Sequence, residues 1–254
     1  MSRVLIGATN YGSWAEELQA PWDALTKAGH EVTLATPRGL KPLPLAVSVD
    51  QDFVDPIQNV KVNPPEVCER ARELVAGQDW ASPVPFGQAS MDSFDALVLT
   101  GGPGSTIDIA NHPDVHRLIL EAQEADKLIG AICYAVGALV FARDPKTNAS
   151  VVRGKTITAH PRAWDFKADL SYDLYQPTAD NEGTNVVTPG FLFPLQDLAI
   201  DAVGPDGTVS SSPETSRERP DVQFDWPFVT ACSVESSVAY GEKLLYVLRT
   251  HMSG

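Results

Sequence analysis

Short apolar runs that end in turn residues recur along the chain, separated by stretches with helical periodicity. This alternation constrains the fold more than any other feature. Residues 4–9, 30–36, 95–100 and 127–132 form the main runs, with later ones at 156–159 and 228–232. Continuous apolar segments of this length, closed by glycine, proline or asparagine, read as strands covered on both faces. Between the first two, residues 14–28 place Trp14, Leu18, Trp22 and Leu25 at spacings of three and four, and Gly29 supplies the stop. Residues 112–125, 134–142, 192–202 and 236–248 also read as helices, and a shorter helix fits between Pro65 and Ala76. Strands alternating with helices imply parallel pairing through right-handed crossovers. The predicted class is α/β: a doubly wound, mostly parallel sheet flanked by helices. Ligands in such sheets bind beyond the carboxyl ends of the strands.

Pro42, Pro44, Pro56, Pro64, Pro65, Pro83 and Pro85 interrupt residues 38–94, which are read as an excursion from the sheet within one domain spanning 1–254. Residues 165–183 are polar and carry no assignable period. Residues 205–220 are polar and turn-rich, the segment expected to be disordered if any is. A chain of this size can bury a core large enough to need no disulfides.

Charge narrows the partners. With 33 acidic and 19 basic residues the net charge is −14. No basic stripe is present to neutralise phosphates, so nucleic acid is not an expected partner, and an acidic surface is not expected to dock on anionic membranes. The cysteines, Cys68, Cys133 and Cys232, are odd in number and widely spaced, which resembles neither a disulfide framework nor a zinc site. Lone thiols suit a reducing compartment, and the first residues enter a strand without a secretory signal, so cytoplasm is the expected location. No cofactor or metal motif is found, and the expected partner is a small-molecule substrate.

The chemistry concentrates at Cys133. Residues 130–139, Gly-Ala-Ile-Cys-Tyr-Ala-Val-Gly-Ala-Leu, run from an apolar strand into cysteine and then into a helix of small residues. A sharp turn there is a nucleophile elbow, which lifts the side chain above the sheet. Nearby helix N-terminal amides favour a thiolate, so a lowered thiol pKa is expected. An isolated cysteine in such a stretch is more often a small buried hydrophobe; the surrounding pattern argues for the elbow. Gly101, Gly102 and Gly104 follow the strand at 95–100 and offer unobstructed N–H groups for an oxyanion hole with the amide of Tyr134. The lysine of a phosphate-binding loop is absent. Glu17, on the first helix near the end of the first strand, is placed to share a proton with the thiol.

These pieces together resemble the ThiJ/PfpI superfamily, with its class I glutamine-amidotransferase-like, flavodoxin-like fold. The nearest resemblance is to the heat-shock chaperone and glyoxalase III-like branch. Glu17 four residues before Pro21 resembles that branch's first-helix glutamate, residues 100–104 its glycine loop, Asp108 the acidic position that follows, and residues 131–134 its elbow. Residues 155–161 resemble the next strand, and Asp165 falls near the branch's triad acid. The resemblance implies a homodimer and a cysteine nucleophile acting on a small electrophile, either a 2-oxoaldehyde or an isocyanide. Its alternatives are an oxidative-stress sensor or holdase, and an amide or peptide hydrolase. Many members place histidine directly after the cysteine, where this chain has Tyr134. A phenol, with its reference pKa of about 10, does not replace imidazole as a base near neutral pH. The resemblance therefore implies a Cys133–Glu17 mechanism. Asp165 is left without its usual histidine partner, and His160 is the one imidazole on a neighbouring loop. Trp164 is a candidate pocket wall.

Overall fold

The structure, a computed structural model, describes residues 1–165 and 194–251. Strands β1 (Arg3–Gly7), β2 (Glu31–Thr36), β3 (Val84–Pro85), β4 (Ala96–Leu99), β5 (Leu128–Ile132), β8 (Val222–Asp225) and β9 (Phe228–Ala231) form one sheet in the order β3-β2-β1-β4-β5-β9-β8. Every pairing is parallel except β8–β9. A separate parallel pair joins β6 (Thr156–Thr158) to β7 (Thr208–Ser210). The α/β doubly wound sheet expected from the sequence is therefore present, with an antiparallel edge. Strands β4, β5 and β9 are buried along their whole length, as continuous apolar runs require.

Helix α1 (Ala15–Lys27) follows β1, α2 (Pro65–Ala76) lies in the excursion, and α3 (Ser105–Asp108) and α4 (Pro113–Glu124) link β4 to β5. Helices α5 (Val136–Phe141), α6 (Arg162–Asp165), α7 (Leu195–Val203) and α8 (Ser237–His251) complete the described set. Helix α1 packs on α8 and α2, while α4 packs on α5. The sheet winds outward from β1 to β3, then restarts at β4 on the other side of β1. The loops after β1 and β4 part at that reversal, the usual position of a site in such folds.

The excursion does not stand apart. Leu74, Trp80 and Phe86 belong to the main apolar core, and Trp22 meets Trp80 edge-on with ring centroids 6.3 Å apart. Its β3 extends the sheet, and Ser48 Oγ accepts the Ala15 N–H at the start of α1, an end that has no side-chain cap from its own N-cap residue.

The disorder expected of residues 205–220 is overturned. They hold β7, and Arg217 grips the buried Glu16 with two hydrogen bonds of 2.6 Å while also donating to the Val62 carbonyl. Polarity there reflects an internal ion pair. Strand β8, only half-buried and with no continuous apolar run, was not foreseen. The helix expected at 192–202 is observed as α7. Of the unassigned stretch 165–183, residues from 166 onward lie outside the described set.

Burial raises the Glu16 carboxyl and the Arg217 guanidinium pulls against it. Replacing Arg217 by alanine strands a carboxyl that is 1% exposed. We expect Arg217→Ala to lower unfolding free energy by about 3 kcal/mol in urea denaturation, near the low end for a broken buried pair because the arginine is partly exposed.

Candidate active site

Cys133 opens a short turn, Cys133–Ala135, between β5 and α5, and takes a φ of 55°. A left-handed backbone at a non-glycine residue costs about 1–2 kcal/mol. Here it aims the side chain away from the strand, so the elbow read from the sequence is the observed geometry. The thiol accepts main-chain N–H bonds from Gly102 and Tyr134. Glu17, 2% exposed on the first turn of α1, sets its carboxyl beside the sulfur and is hydrogen-bonded with it. Pro21, four residues on, deletes the N–H that would otherwise bond the Glu17 carbonyl.

Glycine makes this approach feasible. A Cβ at Gly101 would sit 2.4 Å from Glu17 Oε2 and 2.5 Å from the Ile132 carbonyl oxygen. At Gly102, where φ is 97°, a Cβ would lie 2.2 Å from the Trp14 nitrogen. Gly104 does something else: its N–H is spent on the Gly12 carbonyl at 3.2 Å, so it braces two loops and is not among the groups at the sulfur. Asp108 also lies away from the thiol. Its oxygens take the Thr9 hydroxyl at 2.5 Å and the Asn10 N–H at 2.9 Å, and burial raises its pKa to about 6.

A narrow cavity of about 80 Å³ opens over the sulfur. At roughly 10–15 Å³ per water-sized centre, it holds several waters or one small molecule. Glu17, Gly102, Cys133, Tyr134, His160 and Trp164 line it from the sheet side. The rest of the lining comes from Trp14, Asp55, Ile57, Gln58 and Val62, and from the turn after β9, where Glu235 accepts hydrogen bonds from Gln58 Nε2 (3.3 Å) and Ser233 Oγ (2.5 Å). None of the Asp55–Val62 or Ser233–Glu235 groups was singled out from the sequence. They reach the sulfur only through long-range folding, and no local motif marks them.

His160, the imidazole on the neighbouring loop, lies in this cavity. Its ring stacks on Tyr134 with centroids 4.6 Å apart at 28°, and Trp164 meets it edge-on at 5.7 Å. Its Nδ1 is 2.8 Å from Asp165 Oδ1, the same oxygen that accepts the Tyr134 phenol. Asp165 has thus kept a histidine partner, five residues before it instead of beside the cysteine.

The thiol pKa runs opposite to expectation. Burial and the facing Glu17 carboxylate push Cys133 well up, and the two N–H groups offset only part of this. Burial likewise lifts Glu17 to about 8. Two buried acids side by side resist carrying two charges. Burial of the His160 ring disfavours its charge, but Asp165, with Glu17 and Glu235 beyond, outweighs that and raises it. Cys68 and Cys232 are also buried, and burial pushes Cys232 up to about 12. Cys133 is the one cysteine among those lining the cavity.

A sheet wound about a reversal, with cysteine on a strained elbow and a glycine loop at its sulfur, defines a class, and the family profile described as ThiJ/PfpI family-like matches residues 8–165. The chain belongs to the ThiJ/PfpI family. Its fold is similar to that of Rapid Encystment Protein 24 kDa from Francisella tularensis, with a TM-score of 0.74 at 20% identity over 98% of this chain and 99% of that one. It is also similar to glyoxalase III from Candida albicans, with a TM-score of 0.73 at 19% identity over 96% of each chain. DJ-1beta from Drosophila melanogaster gives a TM-score of 0.54 at 17% identity over the whole of both chains. A search of curated protein sequences found no match.

Alkylation of Cys133 by iodoacetamide, followed by peptide mass spectrometry against pH, checks the electrostatics. The wild-type rate should climb only above the ordinary thiol range. Glu17→Gln removes the facing charge and should move the climb to lower pH; an unmoved midpoint contradicts the pairing.

Proposed function

We propose that the protein is a cysteine-dependent enzyme that adds Cys133 sulfur to a small carbon electrophile of the 2-oxoaldehyde or isocyanide type, with Glu17 relaying the proton. One observation carries this reading: a buried carboxyl, its pKa lifted to about 8 by burial, lies against the elbow sulfur inside a cavity of small-molecule size. Sulfur forms a bond to the electrophilic carbon. The substrate atom left electron-rich takes a proton from the Glu17 O–H, while the other Glu17 oxygen accepts the thiol proton. The two acids begin and end the step neutral, so no net charge is buried. The Gly102 and Tyr134 amides, already directed at the sulfur, are placed to steady the charge that develops beside it.

The fold shared with a glyoxalase III supports the carbonyl branch of this reading. A redox-sensor role gains less support: it needs an accessible thiolate, whereas Cys133 is 5% exposed and held as a thiol. The dimer, the cytoplasmic setting and the absence of nucleic-acid and membrane partners stay part of the proposal.

Cys133→Ser should abolish turnover of methylglyoxal or an aryl isocyanide with the circular dichroism spectrum unchanged. Glu17→Gln should lower kcat by about 10²–10⁴-fold. Wild-type turnover by the serine variant excludes covalent sulfur catalysis.

A further inference from the structure

Addition to sulfur is only half of a turnover; the adduct must be opened by water, and that water needs a base. Glu17 is neutral when the addition ends, so it is poorly suited to the task. One other titratable group in the cavity is an imidazole, and its surroundings fix which nitrogen does the work. Nδ1 of His160 is 2.8 Å from Asp165 Oδ1, on a carboxylate that is 1% exposed. A carboxylate there accepts the Nδ1 proton, which leaves Nε2, across the ring, as the basic atom of the neutral imidazole. The ring is only 14% exposed and lines the cavity beside Cys133. It is held flat against Tyr134, whose phenol donates to the same Asp165 oxygen. The elbow residue thus fixes the imidazole through its face and through the shared carboxylate.

We propose that His160 is the acid–base residue of the release step, that Asp165 sets its tautomer, and that Tyr134 is a positioning residue clamping the pair from the elbow. The proposal rests on Cys133 forming an adduct. On an isocyanide adduct, a thioimidate with a carbon–nitrogen double bond, a water oxygen bonds to the adduct carbon as His160 Nε2 takes one of its protons and the double-bond electron pair moves to nitrogen. The nitrogen pair re-forms the double bond as the carbon–sulfur bond breaks, the sulfur keeps that bond's electron pair and takes the proton back from Nε2, and the imidic acid released tautomerises to the formamide. Water is consumed, the thiol is regenerated, and no oxidant or reductant is needed. Among the described residues, the titratable groups around His160 are Asp165 on α6, Tyr134 and Cys133 at the elbow, Glu17 on α1, Glu235 on the turn after β9, and Asp55, which lines the same cavity.

The pH dependence follows with a definite sign. Neutral imidazole is the base, so release speeds up as pH rises through the His160 pKa. Asp165→Asn removes the negative charge that favours imidazolium and should move the acidic limb of kcat to lower pH. Tyr134→Phe removes a phenol proton that dampens that same carboxylate and should move the limb to higher pH. A merely structural role would not displace the limb in opposite directions.

The experiment combines intact-protein mass spectrometry with steady-state pH profiles, using phenyl isocyanide as the probe of release and methylglyoxal as a second probe of addition. For His160→Gln we expect the Cys133 adduct to form and persist, with kcat lowered at least tenfold, alongside the opposed limb shifts of the two conservative variants. An adduct that forms and clears at the wild-type rate in His160→Gln overturns the assignment. So do limb shifts of the same sign, or none. If wild type shows neither turnover nor a Cys133 adduct with either probe, the addition reading fails and this inference fails with it. If wild type turns over while Cys133→Ser does too, only the sulfur chemistry is removed, which also overturns His160 as its release base.

Discussion

The site is organised by the approach of a buried carboxyl to a buried sulfur. Glu17 and Cys133 belong to the segments after β1 and β5, on either side of β4, and they meet because the chain between them, at Gly101, carries no side chain to fill the gap. Burial then sets their chemistry. Neither group ionises easily beside the other, so the pair rests neutral and is poised to pass a proton instead of to hold a charge.

The surrounding fold keeps that pair buried and in register. Ser48, from the excursion, receives the first N–H of α1. Arg217, from the far end of the chain, holds Glu16 next to the active carboxyl. Residues 38–94 and 205–220 are therefore the second wall of the cavity and the tie that seats α1 under it, not appendages to the sheet. The His160–Asp165–Tyr134 cluster closes the remaining side and supplies the one imidazole at the sulfur.

Much of this was legible in the sequence because it is local. Apolar runs gave the parallel strands, and a cysteine between strand and helix gave the elbow. The glycines after β4 and the glutamate before Pro21 lie near the places where a wound sheet gathers its loops. What was not legible depends on distance. The pairs Ser48–Ala15 and Glu16–Arg217 are separated by 33 and 201 positions, and nothing in either segment announces the other. Polar residues at 205–220 looked disordered because their buried partner could not be seen. Strand β8 was missed because its half-buried residues leave no apolar run. Gly104 was grouped with its neighbours by motif, while its N–H serves another loop. The thiol was expected to be acidic from helix amides alone; burial and a facing carboxyl outweigh them. His160 could be placed only once its Nδ1 and the Tyr134 phenol were seen to share one Asp165 oxygen.

The central claim is that Glu17 is a neutral acid at physiological pH. Infrared difference spectroscopy between the wild type and Glu17→Gln, followed across pH, reads that directly. The account predicts a protonated-carboxyl band at neutral pH that disappears with a midpoint of about 8. A carboxylate signature at neutral pH, with titration in the ordinary glutamate range, would contradict it.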